Sequence, residues 1–140
     1  MDFCITYFST AAESTTEADV IDIVAFSRTK NARLGITGVL LYLNGQIVQV
    51  LEGEQSVVEG LYKSIQTDPR HINVRTTISQ PIVQRLFTQW YMGYETLTTQ
   101  QYEEVRALLP DDTQPLASID TQQPVILRML QRFFELNHHH

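Results

Sequence analysis

The dipeptide Asn44-Gly45 limits what this chain can fold into more than any other feature of it. It separates two apolar runs, and a type I′ turn needs positive φ at both central residues, which Asn-Gly tolerates well. A two-residue turn sets the register of the hairpin. Leu43 falls opposite Gln46, Tyr42 opposite Ile47, Leu41 opposite Val48 and Leu40 opposite Gln49. The pleat then puts Gln49 on one face with Leu40, Tyr42, Ile47 and Leu51. A primary amide buried there without partners costs roughly 1–3 kcal/mol. Backbone, a hydroxyl, a water or a bound polar ligand therefore has to meet its two donors and its carbonyl.

Both parities of these strands are apolar, Val39, Leu41 and Leu43 as well as Leu40 and Tyr42, so both faces of the sheet need a cover. Phe3 to Phe8 is β-branched and aromatic and reads as a first strand. Ser14-Thr-Thr-Glu17 has the spacing of a capping box. The helix it predicts carries Val20, Ile23, Val24 and Ser27 at helical spacing and runs to about Lys30. Glu54 to Thr67 is a second helix with Val57, Val58, Leu61, Tyr62 and Ile65 as its stripe, stopped by Asp68-Pro69. Val74 to Ser79 and the short Tyr91 to Thr96 read as strands, with Ile82 to Gln89 a loop that holds at most one helical turn. Two further helices follow. One spans Thr98 to Leu109, opens on a TxxQ cap and ends at Pro110; the other spans Pro124 to Leu136. Their apolar stripe is the obvious cover for the second face.

The order β-α-β-β-α-β is that of a ferredoxin-like α+β core, here with a fifth strand, two helices on one face and two C-terminal helices on the other. In that topology the first and third strands are antiparallel neighbours. Tyr7 and Gln49 thus lie on adjacent strands beside the groove between the early helices. They can bond each other or line a ligand pocket.

Other function classes are narrowed by composition. A net charge of −6 without a basic cluster argues against nucleic acid, and the single Cys4 excludes an intrachain disulfide or a thiolate-rich metal site. No apolar run approaches a membrane span or a signal peptide, so a cytoplasmic location is the default expectation. His138 to His140 reads as the remnant of an expression tag.

Five segments, in order and at consistent spacing over residues 3 to 96, carry a resemblance. They are Tyr7 with Ser9, NARLGITG from Asn31, Gln49 in QVLEG, DPRH from Asp68 to His71, and QWYMGY around Trp90 and Met92. Together they resemble the BLUF domain, a blue-light sensor that uses FAD. The resemblance implies a non-covalent flavin between the two early helices, with Tyr7 and Gln49 as the photoactive pair. Gln49 would bridge the phenol and the flavin N5/O4 edge, and Asn31 would bond the pyrimidine edge of the ring. Ile23 and Ser27 would line the first-helix wall, and Arg70 and His71 would reach the ring's polar edge or the flavin side chain. It leaves open the role of Lys30 and the orientation of Trp90 and Met92. FAD is the expected flavin, and FMN or riboflavin fits if contacts are mainly to the ring.

From the residues alone the bland readings stand beside these. Tyr7 can be plain core, Asn31 a helix C-cap, Ser27 a group bonded within its own helix, and His71 a surface turn residue. Gly35 and Gly38 can mark close backbone approach or strand-end irregularity. The resemblance further implies a sensor and no enzyme. An acylphosphatase-type enzyme on this scaffold needs an arginine in a glycine-rich phosphate loop, and residues 8–15, FSTAAEST, have neither. The remaining alternative is a small-molecule-binding or protein-interaction module without photochemistry. The expected layout is a sensor core over 1–97, a two-helix cap or output segment over 98–137 and the tag over 138–140. With no room for an effector after residue 96, output would pass to a separate signalling partner, and the chain would form homo-oligomers of a size the sequence does not fix.

Overall fold

The computed structural model describes residues 2–108 and 123–138. The elements in chain order are β1 (Asp2–Ala11), α1 (Glu17–Leu34), β2 (Thr37–Leu43), β3 (Gln46–Glu54), α2 (Gln55–Thr67), β4 (His71–Pro81), β5 (Gly93–Thr96), α3 (Thr99–Leu108) and α4 (Gln123–His138). The expected stop at Pro110 and the side chain of Val125 lie outside the described residues, as do His139 and His140.

Asn44 and Gly45 have φ of 45° and 87°, and the β2–β3 register is the one a two-residue turn dictates, with Leu40 opposite Gln49. The sheet runs β4-β1-β3-β2-β5, antiparallel except for β2 with β5, which is the ferredoxin-like order with a fifth strand added at one edge. Both faces are covered, as the doubly apolar strands require. On one face Ile5, Tyr7, Leu40, Ile47 and Leu51 pack against Val20 and Val24 of α1 and Val58 and Tyr62 of α2. On the other, Phe8, Leu41, Val48 and Val50 pack against Val105 of α3 and Leu127, Leu130 and Phe134 of α4.

Several local expectations are corrected. The capping box of α1 is Thr16 with Asp19, not Ser14 with Glu17; the Thr16 side chain takes the Asp19 amide at 3.2 Å and the Asp19 carboxylate takes the Thr16 amide at 3.0 Å. The helix also runs a turn past Lys30. It ends on Gly35 in the left-handed conformation, with the amides of Gly35 and Ile36 both on the carbonyl of Asn31. Asn31 is therefore inside the last turn and is not the cap. The second TxxQ box is present at Thr98 and Gln101. The β4 strand begins three residues before Val74, at His71, and β5 begins at Gly93 instead of Tyr91. Residues 82–92 form an irregular connection without a helical turn.

Gly38 marks close approach. A Cβ on it would lie 1.9 Å from the carbonyl oxygen of Val50, on the neighbouring strand, and backbone cannot yield as a flexible side chain does. Overpacking of a filled interior typically costs about 1–3 kcal/mol. Gly38→Ala is thus expected to lower thermal stability by at least that much, measured by unfolding of the purified variant.

Candidate functional site

Tyr7 and Gln49 are direct partners in the β1–β3 ladder, and both side chains rise toward the α1/α2 face. The Tyr7 hydroxyl donates to Gln49 Oε1, and Gln49 Nε2 points at Met92 Sδ, 3.4 Å away. Thioether sulfur can accept and cannot donate, so Met92 favours the amide orientation that turns nitrogen toward it and oxygen toward the phenol. Rotation of the amide would exchange an acceptor for a donor at Tyr7 and present a carbonyl to the sulfur. A two-state element of this kind is what a switch needs.

Tyr7 is wholly enclosed. The Tyr62 ring lies 5.1 Å away, centroid to centroid, tilted by 39°, and the His71 imidazole stands edge-on at 6.4 Å. Burial, with lesser help from Tyr62 and Asp68, pushes the phenol well above its ordinary range, so it is a neutral donor. His71 is buried at the start of β4, its Nδ1 3.2 Å from Ser9 Oγ. That overturns the surface-turn reading: the left-handed Asn73 and the longer strand carry the ring inward. Burial lowers its pKa from the usual value, so the ring is neutral at pH 7 and offers one donor and one acceptor nitrogen.

Between α1 and α2 a cleft opens onto this pair. Its lining includes Ile23, Ser27 and Asn31 from α1, Gln49 from the floor, Arg70 from the turn before β4 and His71 from the first position of β4. Six of the seven site residues named from the sequence thus share one cavity, and Tyr7 lies behind Gln49. Lys30 is on the α1 wall, and Asp68 is on the rim. Arg70 forms a two-pronged ion pair with Asp68 at 2.6 Å, which holds that carboxyl down at about 2. Leu61 and Ile65 complete the α2 wall. They were legible only as a buried stripe, which does not tell core contact from cleft lining.

Asn31 carries the clearest sign of a ligand. It is 1% exposed; its Nδ2 donates to the Tyr91 carbonyl at 2.7 Å, and its Oδ1 is buried without a partner. An orphaned acceptor of that kind costs about 1–3 kcal/mol unless something donates to it. The imide N–H of a flavin is such a donor, and the apolar walls between α1 and α2 suit a flat heteroaromatic ring. These residues fit a flavin. One turn before Asn31, Arg28 Nε donates to the Met92 carbonyl at 2.8 Å, so α1 holds two successive carbonyls ahead of β5. In the sequence Arg28 reads only as a basic residue near a helix end, suited to the helix dipole. Its partner is a backbone atom 64 residues away, and only the fold brings them together.

Residues 3–93 match the model of the BLUF family, sensors of blue-light using FAD. The chain is 39% identical over 107 residues to the photoactivated adenylate cyclase subunit beta of Euglena longa, covering 76% of this chain and 12% of that protein. It therefore spans about an eighth of the length of that relative. Among solved structures it resembles the dark state of the BLUF protein BlrB, with a TM-score of 0.70 and 35% identity over 94% of this chain and 93% of the other. It also resembles the ground state of BlsA, with a TM-score of 0.76 and 30% identity over 94% and 88%. The family match covers the Tyr7–Gln49 pair, Asn31 and the segment that carries Met92, and the chain belongs to the BLUF family of blue-light sensors.

Proposed function

We propose that this chain is a blue-light photoreceptor that holds FAD in the α1/α2 cleft and signals by rearranging the Tyr7–Gln49 network. The observation that carries this reading is a buried phenol–amide pair at the floor of a cleft whose wall holds an unsatisfied acceptor, Asn31 Oδ1. Ile23 and Ser27 line the ring, Asn31 meets its imide edge, and Arg70 and His71 reach its polar side or the flavin side chain. FMN or riboflavin is accommodated to the extent that ring contacts dominate.

A bound flavin supplies the light absorption and, once excited, a strong oxidant. Tyr7 is the donor of an electron and then of its phenolic proton. Gln49 is the one neighbour with both donor and acceptor ends, and its amide rearranges around the altered phenol. His71, Tyr62 and the apolar walls keep water from Tyr7, so the proton stays within this network.

Output passes to a separate partner, with residues 98–137 as the output segment and self-association of the chain as its platform. Residues 90–92 span the sheet. Met92 is in the α1/α2 core beside Gln49, while the Trp90 ring stands edge-on to Phe134 of α4 at 4.7 Å. A coupling of 1–3 kcal/mol through such a segment changes partner affinity about 5- to 150-fold. None of the described helices is long and apolar enough to cross a membrane.

An absorption spectrum of the purified chain tests the reading. Supplied with FAD, it should be yellow and undergo a small red shift under blue light that reverses in the dark. A chain that takes up no flavin, or takes it up and shows no shift, is not this photoreceptor. Asn31→Ala should weaken flavin retention about 2- to 10-fold, the worth of one hydrogen bond at about 0.5–1.5 kcal/mol. The apo-protein should also melt lower, because the grip on the Tyr91 carbonyl goes too. Flavin affinity equal to the parent's, with only the melting change, would leave Asn31 as a structural residue.

A further inference from the structure

Glu52 is a carboxylate at 1% exposure, on the opposite face of β3 from Gln49 and three residues along. Burial raises its pKa, partly offset by the groups bonded to it. Those groups belong to the connection between β4 and β5. The Leu86 amide donates to Oε2 at 2.8 Å and the Phe87 amide to Oε1 at 2.9 Å, with the Thr37 hydroxyl at 3.4 Å from Oε1. The segment so held reaches α4: the Leu86 carbonyl accepts from Gln131 Nε2 at 3.0 Å, and the Phe87 ring is fully buried in the core that includes Leu130 and Phe134. Arg85, in the same segment, grips Asp2 at the head of β1 through two bonds and the Gly35 carbonyl at 2.9 Å.

We propose that Glu52 is a positioning residue for signal output, a latch that converts movement of β3 beneath Gln49 into movement of residues 86–87 and, through Gln131, of α4. This rests on the photoreceptor reading and adds to it a second attachment of the β4–β5 connection. Its other end is tied beside Gln49 through Met92. A single strand, β3, thus holds that connection at its middle and at its far end, the carboxylate on one face and the amide on the other. A buried carboxylate satisfied by two main-chain donors is a stiff joint, because at 1% exposure solvent has little access to replace either bond.

Glu52→Gln tests it in the flavin-loaded full chain. The amide can accept one of the two N–H groups but opposes the other with a donor of its own. The latch predicts an unchanged dark spectrum and a full reversible red shift, with loss of the light-dependent changes in hydrogen exchange over residues 86–87 and 127–137. A merely structural Glu52 would raise dark exchange at Leu86 and Phe87 yet leave the light-minus-dark difference in α4 intact, and that result overturns the proposal. Loss of the red shift itself also overturns it, by moving Glu52 into the photoreaction. If the variant does not fold, Gln131→Ala at a half-exposed position tests the same route: light-dependent changes should persist at 86–87 and vanish at 127–137, and their survival in α4 overturns the route. A parent chain that shows no red shift sinks the photoreceptor reading. A parent that shifts but shows no exchange change at 86–92 or in α4 sinks the latch alone.

Discussion

Tyr7→Phe should bind flavin with parent-like occupancy and lose the light-induced red shift altogether. The substitution removes one oxygen from a side chain that has no solvent contact, and it leaves the ring that packs on Tyr62 and His71. The cleft lining does not include Tyr7, so retention of the ligand has little reason to change. What disappears is the only O–H that Gln49 Oε1 receives from Tyr7. A phenyl ring is far harder to oxidise than a phenol and has no proton to release, so neither half of the proposed donation survives. The variant should also melt lower, because an acceptor buried in an apolar site without its donor costs about 1–3 kcal/mol. Illumination of the flavin-loaded variant, followed by its absorption spectrum, decides the matter. A normal red-shifted form would remove Tyr7 from the photochemistry.

The parts of this fold that rest on short-range physics were legible in the sequence. Asn44-Gly45 set a register that carried Gln49 to the floor of the groove, and the apolar character of both strand faces demanded two layers of cover. The helix-stop signal at Asp68-Pro69 and the Thr98–Gln101 box hold in the structure for the same reason: each is a local contest that the adjacent residues decide. Two near-identical cap patterns, Ser14 to Glu17 and Thr16 to Asp19, overlap at the head of α1. Spacing alone does not choose between them. The choice falls to Thr16, whose extended backbone and side chain together close the box with Asp19.

What was not legible depends on contacts between distant segments. His71 follows a proline and an ion-paired Arg70, a context that reads as surface turn, yet it is drawn in by Ser9 across the β1–β4 ladder. Arg28 and Glu52 act on main-chain atoms of the β4–β5 connection, and backbone carries no sequence signature. Glu52 shares its face of β3 with Val48 and Val50, and the sequence does not say what would satisfy a charge there. Only the packing of Leu86 and Phe87 over it makes it a buried one. The cleft residues Ile23 and Ser27 were placed on the ligand wall by resemblance; the helical periodicity by itself puts them with Val20 and Val24, which the structure buries in the core.

Gln49→Leu should also retain flavin and show no comparable red shift, but it should alter the molecule differently. Leucine fills nearly the same space at a position only 5% exposed, among Leu40, Ile47 and Leu51. The contact proposed for Asn31 of α1 with the ring is untouched. Two bonds go, however: the acceptor for the Tyr7 hydroxyl and the donor to Met92 Sδ. Tyr7 keeps its electron and proton, so the proposed donor is still in place, while the group proposed to record the event by rearranging its amide is gone. The expected spectrum is therefore that of a photochemically quenched flavin without a lasting shifted form. The stability change is the difference of two opposed effects, an orphaned phenol at about 1–3 kcal/mol and the gain from burying an apolar side chain in place of an amide. Met92 provides the independent check. With the Gln49 donor to its sulfur removed, the light-dependent exchange changes at residues 86–92 should vanish along with the red shift. If the red shift persists in Gln49→Leu, the switch resides in another group. If the shift vanishes while the segment around Met92 still responds to light, the output is driven from Tyr7 directly and the amide is only its reporter.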